Sequence, residues 1–391
     1  MPDSARSVFA VFLRLGLTSF GGPIAHLGYY RTEFVERRRW LSEAAYADLV
    51  ALCQLLPGPA SSQVSFAVGL SRAGLPGGVA AWLGFTLPSA VAMVLFAQGA
   101  AGLTGPLSAG MLHGLQVVAV AVVAQAVWSM AVSLCPDRPR ASIAVAATLI
   151  ATAAPTAIGQ IAAILAGAIA GTWLPREAPV VGPSAREPIP VPRGLAVAAL
   201  VLFALLLIGL PIAAAVWAVP ALGMAEAFYR AGALVFGGGH VVLPLLHASV
   251  VEPGWVSEDA FLSGYGAAQA VPGPLFTFAA YLGAIMMQWT GAALCLVAIF
   301  LPGLLLVLGV LPFWATLGRG VLMRAALRGV NAAVVGVLLG ALYDPVWTKG
   351  IGGPLDFALA LVAFALLVIW KAPPWLAVLV SAAGGAAVFG R

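Results

Sequence analysis

Of the 391 residues, 62% are hydrophobic and 8% are charged, against about 25% charged in ordinary soluble domains. No soluble fold hides that much apolar surface, since even large domains leave roughly a quarter of it in water, so the bilayer is the solvent. The net charge of +5 lies mostly in short segments between apolar runs, where it carries topological information. Basic blocks interleaved with aromatics, as a nucleic-acid groove needs, are absent, and no nucleic-acid partner is expected.

A helix crossing the hydrocarbon core needs about 20 apolar residues. The first apolar run contains Arg14 and lacks a small-residue cleavage site, so it reads as a mature span rather than a signal peptide. Spans are predicted near 8–30, 45–70, 76–100 and 111–134. The run at 141–174 is too long for one span and is divided by Pro155, as in a hairpin of two short helices. From Pro175 to Arg193 six prolines alternate with polar and small residues, which breaks helix and reads as an extended linker. Apolar runs resume at 194–219, 226–250, 260–286, 290–315, 326–346, 356–371 and 373–390, for 11 to 13 transmembrane spans. The fold class is all-α, because backbone groups in lipid must bond within their own segment. The continuous runs exclude a β-barrel, whose strands alternate.

The chain repeats itself. Phe12, Arg14, Gly16, Phe20, Gly21 and Gly22 recur as Phe228, Arg230, Gly232, Phe236, Gly237 and Gly238, at a constant offset of 216. Trp40, Ser42 and Glu43 recur as Trp255, Ser257 and Glu258. Gln54 with Pro57-Gly58-Pro59 recurs as Gln269 with Pro272-Gly273-Pro274, Pro88 as Pro302, and Leu112-x-Gly114 as Leu327-x-Gly329. Biased composition explains scattered Ala and Leu matches but not Arg, Trp, Gln and Pro in one order. We therefore divide the chain into a first repeat at 1–174, a linker at 175–193, an extra span at 194–219 and a second repeat at 220–391. One unmatched span between the repeats makes them inverted, a common carrier design with the substrate site between the halves. Charge counting leaves the orientation open, since Arg31, Arg37, Arg38 and Arg39 fall on the wrong side if the N-terminus is inside.

Two elements interrupt each half. Phe20-Gly21-Gly22-Pro23 favours stopping a helix and restarting it, with Pro23 suited to the first turn of the new segment. Phe236-Gly237-Gly238-Gly239 does the same in the second half, followed by His240. Pro57-Gly58-Pro59 and Pro272-Gly273-Pro274 remove amide donors and unwind a turn. Each restarted helix offers unpaired amides and about half a positive charge. Four such ends directed at one centre supply on the order of +2, suited to a dianion such as a tetrahedral oxyanion. Ser61 and Ser62 follow the first Pro-Gly-Pro and Thr277 the second, with hydroxyls that can assist. Ordinary kinks and close-packing glycines are the other reading for any single motif, and the doubling of both favours a site.

Arg14 and Arg230 precede the glycines at equal spacing. Either they face a cavity, because an Arg at the bilayer centre costs about 2.5–3.5 kcal/mol, or they snorkel to the interface. Gln54 and Gln269 either line the path or bond between helices, and the same two readings apply to Gln116 and Asn331. His240 is a candidate proton site, although Ile24 occupies its repeat position; His26, His113 and His247 have weaker claims. Trp40-x-Ser42-Glu43 and Trp255-x-Ser257-Glu258 read as an interfacial Trp, a helix cap and a first-turn acid. Cys53, Cys135 and Cys295 are far apart and form no CxxC pair, so neither a metal site nor a disulfide framework is expected. Walker, HExxH and nucleophile-elbow motifs are absent, so no enzyme activity and no cofactor are expected, and concentrative transport has to use an ion gradient or the membrane potential.

The doubled order of Phe-Gly-Gly, then Trp40 or Trp255, then Pro-Gly-Pro resembles the chromate ion transporter family, in its long-chain form with two fused homologous domains. The resemblance spans nearly the whole chain and implies thirteen spans, oppositely oriented halves, and export of chromate from the cytoplasm with chromate resistance. It also implies sulfate as the competing analogue and motif positions at Phe20, Gly21, Gly22, Pro57, Gly58, Pro59, Phe236, Gly237, Gly238, Pro272, Gly273 and Pro274. The sequence departs from strict symmetry where Pro23 faces Gly239. The resulting expectation is a multi-pass inner-membrane carrier of a divalent oxyanion working by alternating access. A sulfate or other oxyanion carrier, an anion channel and a lipid-directed enzyme are the alternatives. A proton or other coupling ion and an oligomeric state are left open.

Overall fold

Because lipid offers the backbone no partners, the chain is built from helices, and no strand occurs among the described residues. The computed structural model describes residues 4–102, 105–174, 189, 191–236, 238–314 and 321–390. Most of the predicted linker, 175–188 and 190, lies outside them, as does Gly237.

In the first half, α1 is Ala5–Thr18 and α2 is Gly22–Arg31, prolonged by a π-helical Thr32–Arg37. Then come α3 (Glu43–Leu55), α4 (Ala60–Gly102), α5 (Pro106–Leu134), α6 (Arg138–Ala153) and α7 (Ala157–Gly171). The unmatched span is α8 (Arg193–Val216). The second half has α9 (Pro220–Leu234), a 3₁₀ turn at Gly239–Val241 leading into α10 (Val242–Val250), and α11 (Glu258–Ala268). A second 3₁₀ turn at Leu275–Thr277 leads into α12 (Phe278–Val310), followed by α13 (Val321–Ala341), α14 (Pro354–Val368) and α15 (Pro374–Phe389). Among the described residues, five helices are long and apolar enough to cross a membrane, and several apolar ones are shorter.

The shorter pieces fold back on themselves. The Phe12 and Phe34 rings lie 5.0 Å apart, whereas continuous helix would hold them about 33 Å apart. Helices α1 and α2 therefore form a hairpin whose tip is Phe20-Gly21. Trp40, just before α3, is covered by the Arg72 guanidinium at 5.1 Å, so the segment from α3 through the start of α4 also returns to its origin, with Pro57-Gly58-Pro59 at its tip. Helix α4 then reverses at Ala73 and Gly74, whose backbones are non-helical. A Cβ on Gly69 would collide with the Gly77 carbonyl across that turn. The second half repeats this: a Cβ on Gly223 would meet the Trp255 ring at 3.4 Å, α12 reverses at Met287 and Gln288, and Gly283 faces Gly291. The runs predicted as single spans near 8–30 and 45–70 are thus paired half-length helices. Hydropathy adds up both arms of a hairpin and cannot see the reversal between them.

The hairpins open toward opposite faces. Ala5 and Phe9 adjoin Leu75 and Pro76, which places the open ends of the first-half hairpins at one face. The rest of α4 runs from there to Ala97 and Ala100, which share a cavity with Ser257 and Ile285 of the second half. That stretch of helix is roughly 37 Å long, a full membrane thickness. The cluster Arg31, Arg37, Arg38 and Arg39 therefore shares the N-terminal face, with Arg31, Arg37 and Arg38 paired to Glu33, Glu36 and Glu43.

Each half also embraces the other. Helices α14 and α15 of the second half pack on α5, while α6 and α7 of the first half pack on α13. Small residues allow the backbones to approach: a Cβ on Gly114 would strike the Ser381 carbonyl, and one on Gly167 would strike Ala333. Helix α8 packs on α9 and α12 at the periphery with its outer residues exposed.

Ser42 and Ser257 cap α3 and α11 as expected, accepting from Ala45 N (3.2 Å) and Ala260 N (3.3 Å). Trp40 departs from the interfacial role: it is buried, stacked on Phe34 and flanked by Arg38 and Arg72.

Candidate functional site

Arms of 13 or 14 residues rise about 20 Å, so hairpin tips from opposite faces reach the middle of a hydrocarbon core about 30 Å thick. They meet there through two crossed backbone hydrogen bonds. Gly58 N, in the first Pro-Gly-Pro, donates to Val235 O, just before the second Phe-Gly-Gly, at 2.7 Å. Gly273 N, in the second Pro-Gly-Pro, donates to Ser19 O, just before the first Phe-Gly-Gly, at 2.9 Å. The two bonds are related by the internal repeat, and each ties one half to the other.

Glycine is required at both donors. Gly58 and Gly273 have φ of +121° and +103°, a region costly for residues with a Cβ. A Cβ on Gly58 would lie 3.0 Å from Gly303 Cα, and one on Gly273 would lie 2.8 Å from Ser89 Oγ. Gly303 and Ser89 follow the matched Pro302 and Pro88, so each tip seats against the long helix of the opposite half. The Phe-Gly-Gly tips join the same junction: the side chains nearest to a Cβ on Gly239 are Leu275 (3.7 Å) and Pro23 (3.9 Å).

Four helices restart at this junction, at Gly22, Ala60, Gly239 and Leu275, leaving first-turn amides without intrahelical partners. No side chain caps the starts at Gly22, Gly239 or Leu275. The helices that enter the tips end there too, so four negative helix ends also converge and the bare estimate of about +2 is too large. Two of those ends are neutralised. Ser19 O accepts from Gly273 N and from His26 Nε2 (3.2 Å), and Val235 O accepts from Gly58 N. Donors thus cover two of the four carbonyl ends while the restarted ends stay open, which leaves a positive bias.

The predicted side chains are placed as follows. Gly21 and Gln54 are exposed, Phe20, Gly22, Pro57, Phe236, Gly238, His240, Gln269, Pro272 and Gly273 are partly exposed, and Gly58, Pro59, Gly239 and Pro274 are buried. Ser62 and Thr277 are buried; Thr277 bonds to Pro274 O, whereas Ser62 Oγ has no partner among the described residues. Gln269 Nε2 is likewise buried without a partner. Arg14 is exposed on α1, and Arg230 is paired with Glu226 one turn away. His240 Nδ1 bonds to the Tyr265 hydroxyl at 2.7 Å. Gly237 lies outside the described residues.

Two polar residues at the junction, Gln63 and Ser19, escape the sequence reading, and His26 enters it only as a weak candidate proton site. Gln63, fully buried, donates to Pro57 O (2.8 Å) and Gly303 O (3.3 Å). Ser19 and His26 hold the crossed bond on its acceptor side. Their repeat positions are occupied by apolar residues (Phe278 for Gln63, Val235 for Ser19), so the comparison of halves hides them.

An all-helical multi-pass membrane protein of two homologous repeats, with interrupted helices meeting between them, is thereby defined. The chain belongs to the chromate transporter family, whose model matches it twice, over residues 6–172 and 222–386. This is a family of transporters rather than of enzymes. The chromate transport protein of Pseudomonas aeruginosa is 28% identical, over 98% of this chain and 92% of its own. The probable chromate transport protein of Synechococcus elongatus is 30% identical, over 87% and 84%, and the chromate transport protein of Cupriavidus metallidurans is 28% identical, over 94% and 88%. No solved structure matches.

Proposed function

We propose that this protein is a secondary carrier that exports chromate from the cytoplasm by alternating access and so confers chromate resistance. The crossed pair Gly58–Val235 and Gly273–Ser19 carries the reading. It gathers four restarted helices at mid-membrane, where their free amides suit a tetrahedral dianion. We assign binding to the amides following Gly21-Gly22, Pro59, Gly238 and Pro274, with Ser62 and Gln269 supplying polar groups. Arg14 and Arg230 set the field around them, and Phe20, Gln54, Phe236, Gly237, His240 and Thr277 line the approach. The two halves, 1–174 and 220–391, are the bodies that rock about the junction. The crossed bonds support this because each would have to shift as one half moves against the other.

Orientation follows from charge. With the hairpins folded back, Arg6, Arg31, Arg37, Arg38, Arg39, Arg72, Arg138, Arg140 and Lys371 share the N-terminal face, while Lys349 lies opposite. The N-terminal face is accordingly cytoplasmic. Sulfate matches chromate in charge and shape, so it competes at the same amides.

Uptake of labelled chromate into inverted membrane vesicles, with and without excess sulfate, tests the proposal. Accumulation that sulfate suppresses is expected. Flux that is not accelerated by chromate on the opposite side would instead identify an anion channel.

A further inference from the structure

A second polar network lies away from the tips, at the face where α5 begins and α11 starts. It lines a cavity of about 580 Å³ bounded by Leu112, His113, Gln116, Asp259, Ser263 and Tyr281 among others. His113 Nε2 lies 2.8 Å from Asp356 Oδ1. The other oxygen of Asp356 accepts from Gly352 N (2.9 Å) and Gly353 N (3.0 Å). On the opposite edge of the ring, His113 Nδ1 lies 3.3 Å from Gln116 Oε1. Gln116 Nε2 in turn donates to Asp259 Oδ1 (3.2 Å) and Asp259 O (3.4 Å).

Both ring nitrogens of His113 face oxygen atoms. The buried Asp356 carboxylate is fed by two amides, so it acts as an acceptor and Nε2 carries a hydrogen. Nδ1 faces an amide oxygen, which also only accepts. Turning the Gln116 amide over would set its oxygen against two oxygens of Asp259, so the orientation holds. The arrangement is satisfied with protons on both ring nitrogens, as an imidazolium. Loss of the Nδ1 proton sets lone pair against lone pair, and either the His113–Gln116 contact opens or Gln116 turns and breaks with Asp259.

The network also joins the halves: His113 and Gln116 are on α5, Asp259 on α11 and Asp356 on α14. The groups facing it from neighbouring elements are few. Helix α12 contributes Tyr281 to the cavity, and α15 contributes the Phe389 ring at 4.8 Å. Glu258 is turned away to His247 at 3.0 Å, and Asp344 and Lys349 line a separate cavity with Glu252. Asp259 is exposed, so water reaches the network.

We propose that His113 is a proton-binding site whose protonation ties α5 of the first half to α11 and α14 of the second. The inference rests on the transporter reading for its role, and on the geometry alone for the site. A proton taken from cavity water onto Nδ1 closes the bridge between the halves, and its release opens it.

Two measurements on the purified full-length protein test it. In proteoliposomes with a trapped pH dye, the natural protein should show chromate counterflow and a proton movement evoked by chromate. His113→Gln and Gln116→Met should keep counterflow and lose the proton movement. In parallel, spin labels at the exposed Leu107 and Trp255 should report a spacing that changes with pH, a response both variants abolish. Proton movement persisting in His113→Gln, or a pH-independent spacing in the natural protein, overturns the proposal. If chromate counterflow is absent while the spacing still responds through His113, the chromate reading falls and the proton site stands.

Discussion

Placing an alanine at Gly58 is the most informative single change. Its φ of +121° is a conformation that non-glycine residues hold at a cost of about 1–3 kcal/mol. The new methyl would also sit 2.9 Å from Gln63 Nε2 and 3.0 Å from Gly303 Cα, and forcing an extra carbon into packed surroundings costs roughly 1–3 kcal/mol. Gly303 presents backbone there and cannot rotate aside. The two effects together disfavour the seated tip by about 2–6 kcal/mol, and at about 1.4 kcal/mol per factor of ten the crossed bond to Val235 is depopulated at least about tenfold. The assay is chromate counterflow in proteoliposomes, with membrane insertion checked by detergent extraction and gel filtration. Gly58→Ala should insert normally and lose most transport. Gly273→Ala should lose transport too, but here the obstruction is the Ser89 hydroxyl at 2.8 Å. Combining it with Ser89→Gly, which copies the Gly303 arrangement, should restore part of the activity. Counterflow at the natural rate in Gly58→Ala would refute the reasoning that the tip must be seated.

Further outcomes are expected elsewhere. Gln63→Leu removes the donor that Pro57 O and Gly303 O share and leaves Pro57 O without it, so it should lower stability by about 1–3 kcal/mol, read as earlier thermal aggregation in detergent. Arg230→Ala leaves Glu226 without its partner and should abolish chromate transport; normal transport in both Arg14→Ala and Arg230→Ala would remove these residues from the site. Asp137 caps α6, and hydrogen bonds from the Arg140 side chain and backbone hold its carboxyl below the usual carboxylate range. A depressed carboxyl stabilises the fold above its unfolded value of about 3.9 and loses that contribution as pH falls through the lower folded value. Hydrogen exchange at the start of α6 should therefore quicken in acid, and Asp137→Asn should remove the dependence.

The duplication, the all-helical class and both kinds of interruption were legible because Pro, Gly, Trp and Arg keep their order across an offset of 216. The reversals at Phe20-Gly21 and at Pro57-Gly58-Pro59, with their repeats, were not legible as hairpin tips, since two apolar arms joined by a tight turn give the same hydropathy as one long helix. That single omission left the arginines of 31–39 on the wrong face and the orientation undecided. The pairing of Gly58 with Val235 and of Gly273 with Ser19 was hidden because it runs between halves, and sequence comparison aligns the halves without saying how they touch. Gln63 escaped for a related reason, and His113 entered only as a weak candidate. Symmetry directed attention to matched positions, whereas these residues act where the halves differ, Phe278 standing opposite Gln63 and Arg328 opposite His113. Arg14 and Arg230, matched in sequence, differ in setting, one exposed and the other paired with Glu226.

Imaging the protein with bound chromate by electron cryo-microscopy tests the central claim most directly, because the metal scatters strongly. The account predicts one density at mid-membrane between the four tips, within about 3.5 Å of the amides that open the helices at Gly22 and Ala60. Density confined to the cavities of the outer face, with the junction of Gly58, Gly273, Ser19 and Val235 closed and empty, would contradict it.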